Sequence, residues 1–483
     1  MTDKDSNIRV YLVAFAFVVL NSILIHYEIF YFPLIPVLIL LMILAFASLN
    51  KFIYLIVFLV PFSIPLTKLI GKDLGVDLFL PTEPMLAGVM LLFIMKHLMG
   101  QRLDIRILRH PVTLAIYFNL AWIVITSVTS SMPIVSFKFL IARIWFIIAF
   151  YLLATGMFSS KKNMRQYIWF YIIPFTVVII YSLVRHSSRG LMNQMAAHSV
   201  VQPFYNDHTA YGMALGMLVP VLIGLYVNYW SKLNFRQHAG FILLILLFFA
   251  ATLFSYTRAT WVSLAGVAGI WVLVLLKIKW QYVLATGIII LSLFFTFQTE
   301  IKLKLEGNKQ TSSGKVTEHI QSISNVKTDA SNLERLNRWS CALRMYKERP
   351  VFGWGPGTYM FQYTPFQNSW ERTSISTNAS TMGNAHSEYL GPLAEQGIPG
   401  MLSVLLIVSL SLVTGFRVYF RSKSRQVRVL ALSIMLSLIT YYIHGILNNF
   451  LDSDKASALF WGFTAVLVAL DLKYTKDKKT IIP

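Results

Sequence analysis

Long apolar runs recur along most of this 483-residue chain. Each is about the length a helix needs to cross a bilayer, roughly 20 residues. Only 13% of the residues are charged and 56% are apolar, whereas a soluble chain carries about a quarter charged. So much apolar surface cannot be hidden in one soluble core, which excludes an ordinary cytosolic enzyme. The expectation is an all-α polytopic membrane protein with about 12–14 transmembrane helices. The candidate spans cover roughly 9–25, 29–48, 52–70, 80–98, 112–130, 134–158, 165–184, 208–229, 239–254, 258–276, 280–298, 399–416, 428–447 and 456–472. Pro33, Pro36, Pro61 and Pro65 interrupt the second and third of these, so broken or re-entrant helices are expected there.

Lys and Arg number 42 against 21 Asp and Glu, a formal net charge of +21. Inward loops of membrane proteins collect Lys and Arg, and that explains the excess better than a nucleic-acid partner. A basic site for an anionic, lipid-linked substrate is a second source of it. The basic clusters at Lys96–Arg109, Lys161–Arg165, Lys232–Arg236, Lys277–Lys279, Arg417–Arg428 and Lys473–Lys479 fall on one side if the spans alternate as read. Both termini are then expected in the cytoplasm. The polar stretch Met1–Arg9 leads into the first run without a clear cleavage site, so an uncleaved first span is expected. The single cysteine, Cys341, excludes an internal disulfide and a Cys-rich metal site.

The chain divides in this reading into a transmembrane bundle at 1–298, a large outer loop at 299–398, and C-terminal spans with a short tail at 399–483. Gly307–Ala330 is rich in Ser, Thr, Asn and Lys and is expected to be flexible. Glu334–Glu348 places Leu336, Trp339, Leu343 and Tyr346 at helical spacing, which predicts an amphipathic helix on the membrane face.

A guanidinium inside an apolar span needs an explanation. Arg143 lies within the span 134–158, with a salt bridge inside the bundle as the plain alternative. Arg258, in Phe254-Ser-Tyr-Thr-Arg-Ala-Thr260, falls at an outer turn and at the start of the next helix. Unpaired N–H groups and the helix dipole favour an anion there; an interfacial anchor is the alternative. Arg338 lies on the amphipathic helix, where a solvated position is the plain reading. His386, in Gly383-Asn-Ala-His-Ser-Glu-Tyr-Leu390, is a candidate general base because imidazole titrates near neutral pH. Glu388 is a candidate to orient it, and a hydrogen-bonded loop histidine is the alternative. Together the three arginines and the histidine suit a site that grips a pyrophosphate and deprotonates a hydroxyl. Val351-Phe-Gly-Trp-Gly-Pro-Gly357 follows no strand and reads as a tight turn. Asp452-Ser-Asp454 lacks a nearby third carboxylate and reads as a solvated loop, so no metal is expected.

The order of Ser255-Tyr-Thr-Arg258, Arg338-Trp339, Pro350–Gly357, Asn384-Ala-His-Ser-Glu-Tyr-Leu390 and Ala394-Glu-Gln-Gly-Ile-Pro-Gly400 resembles the bacterial O-antigen ligases and the related O-antigen polymerases over roughly residues 200–410. The resemblance implies a GT-C-like inner-membrane glycosyltransferase with its site facing the periplasm, no cofactor and no required metal. It implies a glycan donor carried on undecaprenyl pyrophosphate, and a lipid A–core or other glycan acceptor. Arg143, Arg258 and Arg338 would bind the pyrophosphate, and His386 would activate the acceptor hydroxyl. His208, in Asn206-Asp-His-Thr209, is a secondary candidate, as are Asn384 and Tyr389 from the histidine segment. A polymerase, a protein O-oligosaccharyltransferase and, outside the enzymes, a flippase for the same lipid remain open. A flippase would place its ionisable residues near the midplane, whereas here they gather toward one face.

Overall fold

The computed structural model describes residues 3–28, 31–71, 78–277, 330–372, 376 and 383–475. The expected span 280–298 and the expected flexible stretch from Gly307 lie outside the described residues. The described chain is helical, apart from one two-stranded antiparallel ladder that pairs Ile64 with Leu80 and Pro65 with Phe79. It is an all-α polytopic membrane protein.

The chain forms two compact units, Met1–Leu55 and Ile56–Pro483. The first holds α1 (Asp3–His26), α2 (Leu34–Ala47) and most of α3 (Leu49–Leu59). Within it Phe17 stacks on Phe32 with ring centroids 4.9 Å apart. Pro33, Pro61 and Pro65 fall where the α-helices are interrupted, whereas Pro36 lies in the first turn of α2. Pro33 precedes α2, and Pro61 falls in the single 3-10 turn Val60–Phe62 that follows α3.

The second unit holds α4 (Thr82–Leu98), α5 (Pro111–Val128), α6 (Pro133–Met157), α7 (Lys161–Ser187), α8 (His208–Tyr229), α9 (Phe235–Phe254) and α10 (Arg258–Leu275). After the stretch that is not described come α11 (Ala330–Glu348), α12 (Leu390–Arg421), α13 (Arg425–Leu447) and α14 (Asp454–Tyr474). Nine helices among the described residues, α5–α10 and α12–α14, are long and apolar enough to cross a membrane. Three shorter apolar helices lie within residues 11–62.

Local chemistry sets the helix starts. Asp207 caps α8 by accepting from the N–H groups of Thr209 and Ala210 at 2.8 and 2.9 Å. Asn234 and Gln237 form a capping box at α9, which satisfies two orphan N–H groups reciprocally. Proline opens α5 and α6, where its missing N–H is harmless. α8, α13 and α14 form the buried centre; α14 is buried along nearly its whole length.

α12 starts at Leu390, earlier than the apolar run suggests, and it is kinked. Gly397 takes φ 68° and ψ −167°, and Pro399 follows. The kink leaves carbonyls without their helical donors. α5 and the segment that follows α11 supply replacements: Trp354 N donates to Ala394 O at 3.2 Å, Gly355 N to Glu395 O at 2.7 Å, and Trp122 Nε1 to Gln396 O at 2.8 Å. In return Ile398 N donates to Pro350 O at 3.0 Å. The glycine-rich segment is thus a turn pressed into the kink. Gly397 must lack a side chain, since its φ is left-handed and a Cβ would strike the Val351 backbone.

Candidate active site

One face of α11 is turned inward. Asn337, Arg338, Cys341, Ala342 and Met345 are buried, and Cys341, Ala342 and Met345 pack with Tyr359, Tyr363, Ala385 and Ala394. Leu336 and Leu343 of the expected apolar stripe remain 39% and 44% exposed. Arg338 is accordingly not a solvated residue: it is only 2% exposed. Its Nε donates to Glu334 Oε1 at 2.7 Å, and its guanidinium lies 3.9 Å from the centre of the Tyr363 ring. Tyr359 donates its hydroxyl to the Arg338 carbonyl at 2.8 Å. Gly383 leaves room for the guanidinium, which a Cβ there would strike.

His386 adopts a left-handed φ of 48°. Its N–H donates to Asn384 Oδ1 at 3.0 Å and its carbonyl accepts from Trp339 Nε1 at 3.3 Å, so both neighbours fix the backbone that carries the ring. Burial pushes the imidazole from 6.5 down to about 4; Arg335 and Arg338 push the same way, and Glu334 and Asp207 oppose them. The ring is neutral at pH 7 and can accept a proton.

His208 and Arg258 are the first residues of α8 and α10. Thr257 ties the two starts together by donating its hydroxyl to the His208 carbonyl at 2.8 Å. The helices approach closely there, since a Cβ on Gly212 would come within 2.6 Å of Thr257 Oγ1. The His208 ring centroid is 4.0 Å from that of His198, and Arg335 and Arg258 lie within electrostatic reach of it. Arg335 acts on both His208 and His386 and so links the two groups. Sequence reasoning missed Arg335 and His198. Arg335 had a readable signal, because it lies three residues before Arg338 on the same helix.

Two expectations fare differently. Glu388 does not serve the imidazole. Its Oε1 accepts from Tyr441 OH at 2.5 Å, Phe450 N at 2.7 Å and Leu451 N at 2.9 Å, and its own N–H donates to Gly445 O at 2.8 Å. Burial, and then Asp452, push this carboxyl upward. Arg143 is not with Arg335 and Arg338, the two arginines that act on His386. Its Nη2 is bonded to Asp452 Oδ1 at 2.6 Å, and the pair lines a cavity of about 130 Å³ with Glu388, Glu395, Asn384 and Tyr389. Tyr389 donates its hydroxyl to Tyr442 O at 2.9 Å.

One of the two aspartates near the C-terminus, Asp454, also departs from expectation. Asp454 is fully buried and accepts from Ser63 Oγ at 2.6 Å and Thr82 Oγ1 at 2.5 Å, with Lys455 Nζ 3.5 Å away. Asp452 lies in the turn before α14 with its side chain 52% exposed, although it pairs with Arg143, whereas Asp454 anchors the start of α14. Among the described residues no group of three His, Cys, Asp or Glu could hold a metal ion.

The fold is that of a multi-pass helical membrane protein, with arginines and histidines gathered where α8 and α10 begin and just before α12. Residues 241–405 match the family model described as O-antigen ligase, the family that the sequence motifs resemble. The matched stretch contains Arg258, Arg338, His386 and Glu388, while Arg143 and His208 precede it. No curated protein matches the chain. The domain supports an O-antigen ligase-like or polymerase-type function, and with it a glycosyltransferase-like activity.

Proposed function

We infer that the protein transfers a glycan from undecaprenyl pyrophosphate to an acceptor hydroxyl, with lipid A–core as the acceptor. The observation that carries this reading is the His386 segment held against α11, where Trp339 Nε1 donates to the His386 carbonyl at 3.3 Å beside the buried Arg338. Arg258, Arg335 and Arg338 hold the pyrophosphate, and their positive charge takes the place of a divalent ion. His386 takes the acceptor proton as the oxygen bonds to the anomeric carbon. The bond from that carbon to the phosphate oxygen breaks, and undecaprenyl pyrophosphate leaves with the electron pair. His208 is a second imidazole beside the same charge. Arg143 is left out of the pyrophosphate set because Asp452 and Glu388 surround it.

In this reading the site faces the periplasm, with both termini in the cytoplasm of an inner-membrane protein. A polymerase would use the same residues and differ in its acceptor, a second lipid-linked repeat. The test is a transfer assay with the full-length protein in nanodiscs, lipid-linked donor and lipid A–core. Transfer that is lost in His386→Gln supports the reading. Movement of intact donor across the bilayer without transfer would establish a flippase instead.

A further inference from the structure

The cavity beside Arg143 is lined by none of Arg258, Arg335 and Arg338. Asn384 and Ser387, which flank His386, both line it. Its walls are unsuited to a pyrophosphate. One guanidinium, already paired with Asp452, faces that aspartate and the carboxyl groups of Glu388 and Glu395. The volume of about 130 Å³ is close to the roughly 150 Å³ that admits one six-membered ring. Four polar atoms on lining residues lack a hydrogen-bond partner among the described residues: Tyr442 OH, Asn449 Oδ1, Gln396 Oε1, an acceptor, and Trp461 Nε1, a donor. Gln396 is 2% exposed and Trp461 1%. Trp461 is seven residues into α14, about 10 Å along it, and Gln396 lies on α12, so the unmet polarity comes from two different helices.

A hydroxyl both donates and accepts, so a polyol ring satisfies Gln396 Oε1 and Trp461 Nε1 alike and also donates to the carboxylates. A carboxylated ring would add a further negative charge against the same walls. We propose that this cavity seats one saccharide ring of the acceptor, uncharged or bearing an amino group, and that it presents the ring's neighbouring hydroxyl to His386. The acceptor assignment rests on the transferase reading above; the sugar site itself does not.

The sugar site is tested by saturation-transfer NMR of free glucose, glucosamine and glucuronate with the protein in nanodiscs, without donor. Glucose and glucosamine should give signal and glucuronate little. Gln396→Leu should weaken binding about tenfold, the loss of one buried hydrogen bond. Trp461→Phe keeps the ring, removes only the N–H, and provides a second variant should the first misfold. In the transfer assay both variants should raise the acceptor KM about tenfold and leave the donor KM unchanged. Equal signal from all three sugars, or variants that bind as wild type, would overturn the site even if transfer is observed. A raised donor KM would overturn the acceptor assignment. Normal sugar binding without any transfer would sink the transferase reading and leave the sugar site standing.

Discussion

Binding of a pyrophosphate-linked donor should raise the pKa of His386. In the free protein that pKa is lowered from 6.5 to about 4. The difference means that a proton on this ring is disfavoured by roughly 3 kcal/mol relative to free imidazole. Burial is the largest cause, with Arg335 and Arg338 next. A pyrophosphate on those guanidinium groups offsets their charge but leaves the burial, so the rise is on the order of one unit, about 1.4 kcal/mol. The pH dependence of kcat/KM reports the free enzyme and that of kcat the loaded enzyme. The acid limb of kcat/KM should therefore fall near pH 4, and that of kcat about one unit higher. Initial rates in nanodiscs, with donor varied at each pH, give both profiles. Thermal unfolding at each pH is the needed control. The folded pKa is below the unfolded one, so this group's contribution to stability is present above pH 6.5 and is lost as pH falls toward 4. Coincident limbs for the two parameters, or an acid limb that survives in His386→Gln, would refute the argument.

Arg258→Ala should lower the transfer rate by about 10²–10³, the usual loss for one preorganised donor, and Arg258→Lys should recover little because an ammonium cannot grip bidentately. Near-normal turnover in the Ala variant would remove Arg258 from the site. Transfer should persist in excess EDTA; complete inhibition that Mg²⁺ reverses would give the metal a role. Gly383→Ala drives a methyl into the Arg338 guanidinium, so it should weaken donor binding, measured as Kd, more than it changes the melting temperature. Glu388→Ala strips the acceptor from Tyr441 OH and two backbone N–H groups. It should cost about 3–5 kcal/mol in a denaturant titration, and an unchanged midpoint would contradict the bonding described.

The helices and the place of Arg258 at the start of one were legible because both depend on neighbours in sequence. An apolar run fixes a span, and the turn before Arg258 marks where the next helix begins. Arg338 was legible as a residue but not as a buried one. The apolar spacing of Leu336 and Leu343 drew attention to one face of α11, and the opposite face makes the contacts. Glu388 and Asp454 were misjudged for a common reason. Their partners, Tyr441, Phe450 and Leu451 for the one and Ser63 and Thr82 for the other, lie far along the chain, and no local pattern announces them. Arg143 was recognised as a charge needing a partner, and Asp452, more than three hundred residues later, is that partner.

The kink in α12 has a consequence for how the protein is made. A span whose carbonyls at Ala394, Glu395 and Gln396 face lipid unpaired would lose several kcal/mol for each. Their donors, Trp354, Gly355 and Trp122, all precede α12 in the chain. Synthesis from the N-terminus therefore delivers the donors before the acceptors. α5 and the turn at 350–357 must be in place before α12 can settle, so docking that turn and completing the span are a single step of assembly. A truncation within the turn should strand α12 during insertion, although every residue of its apolar stretch is intact.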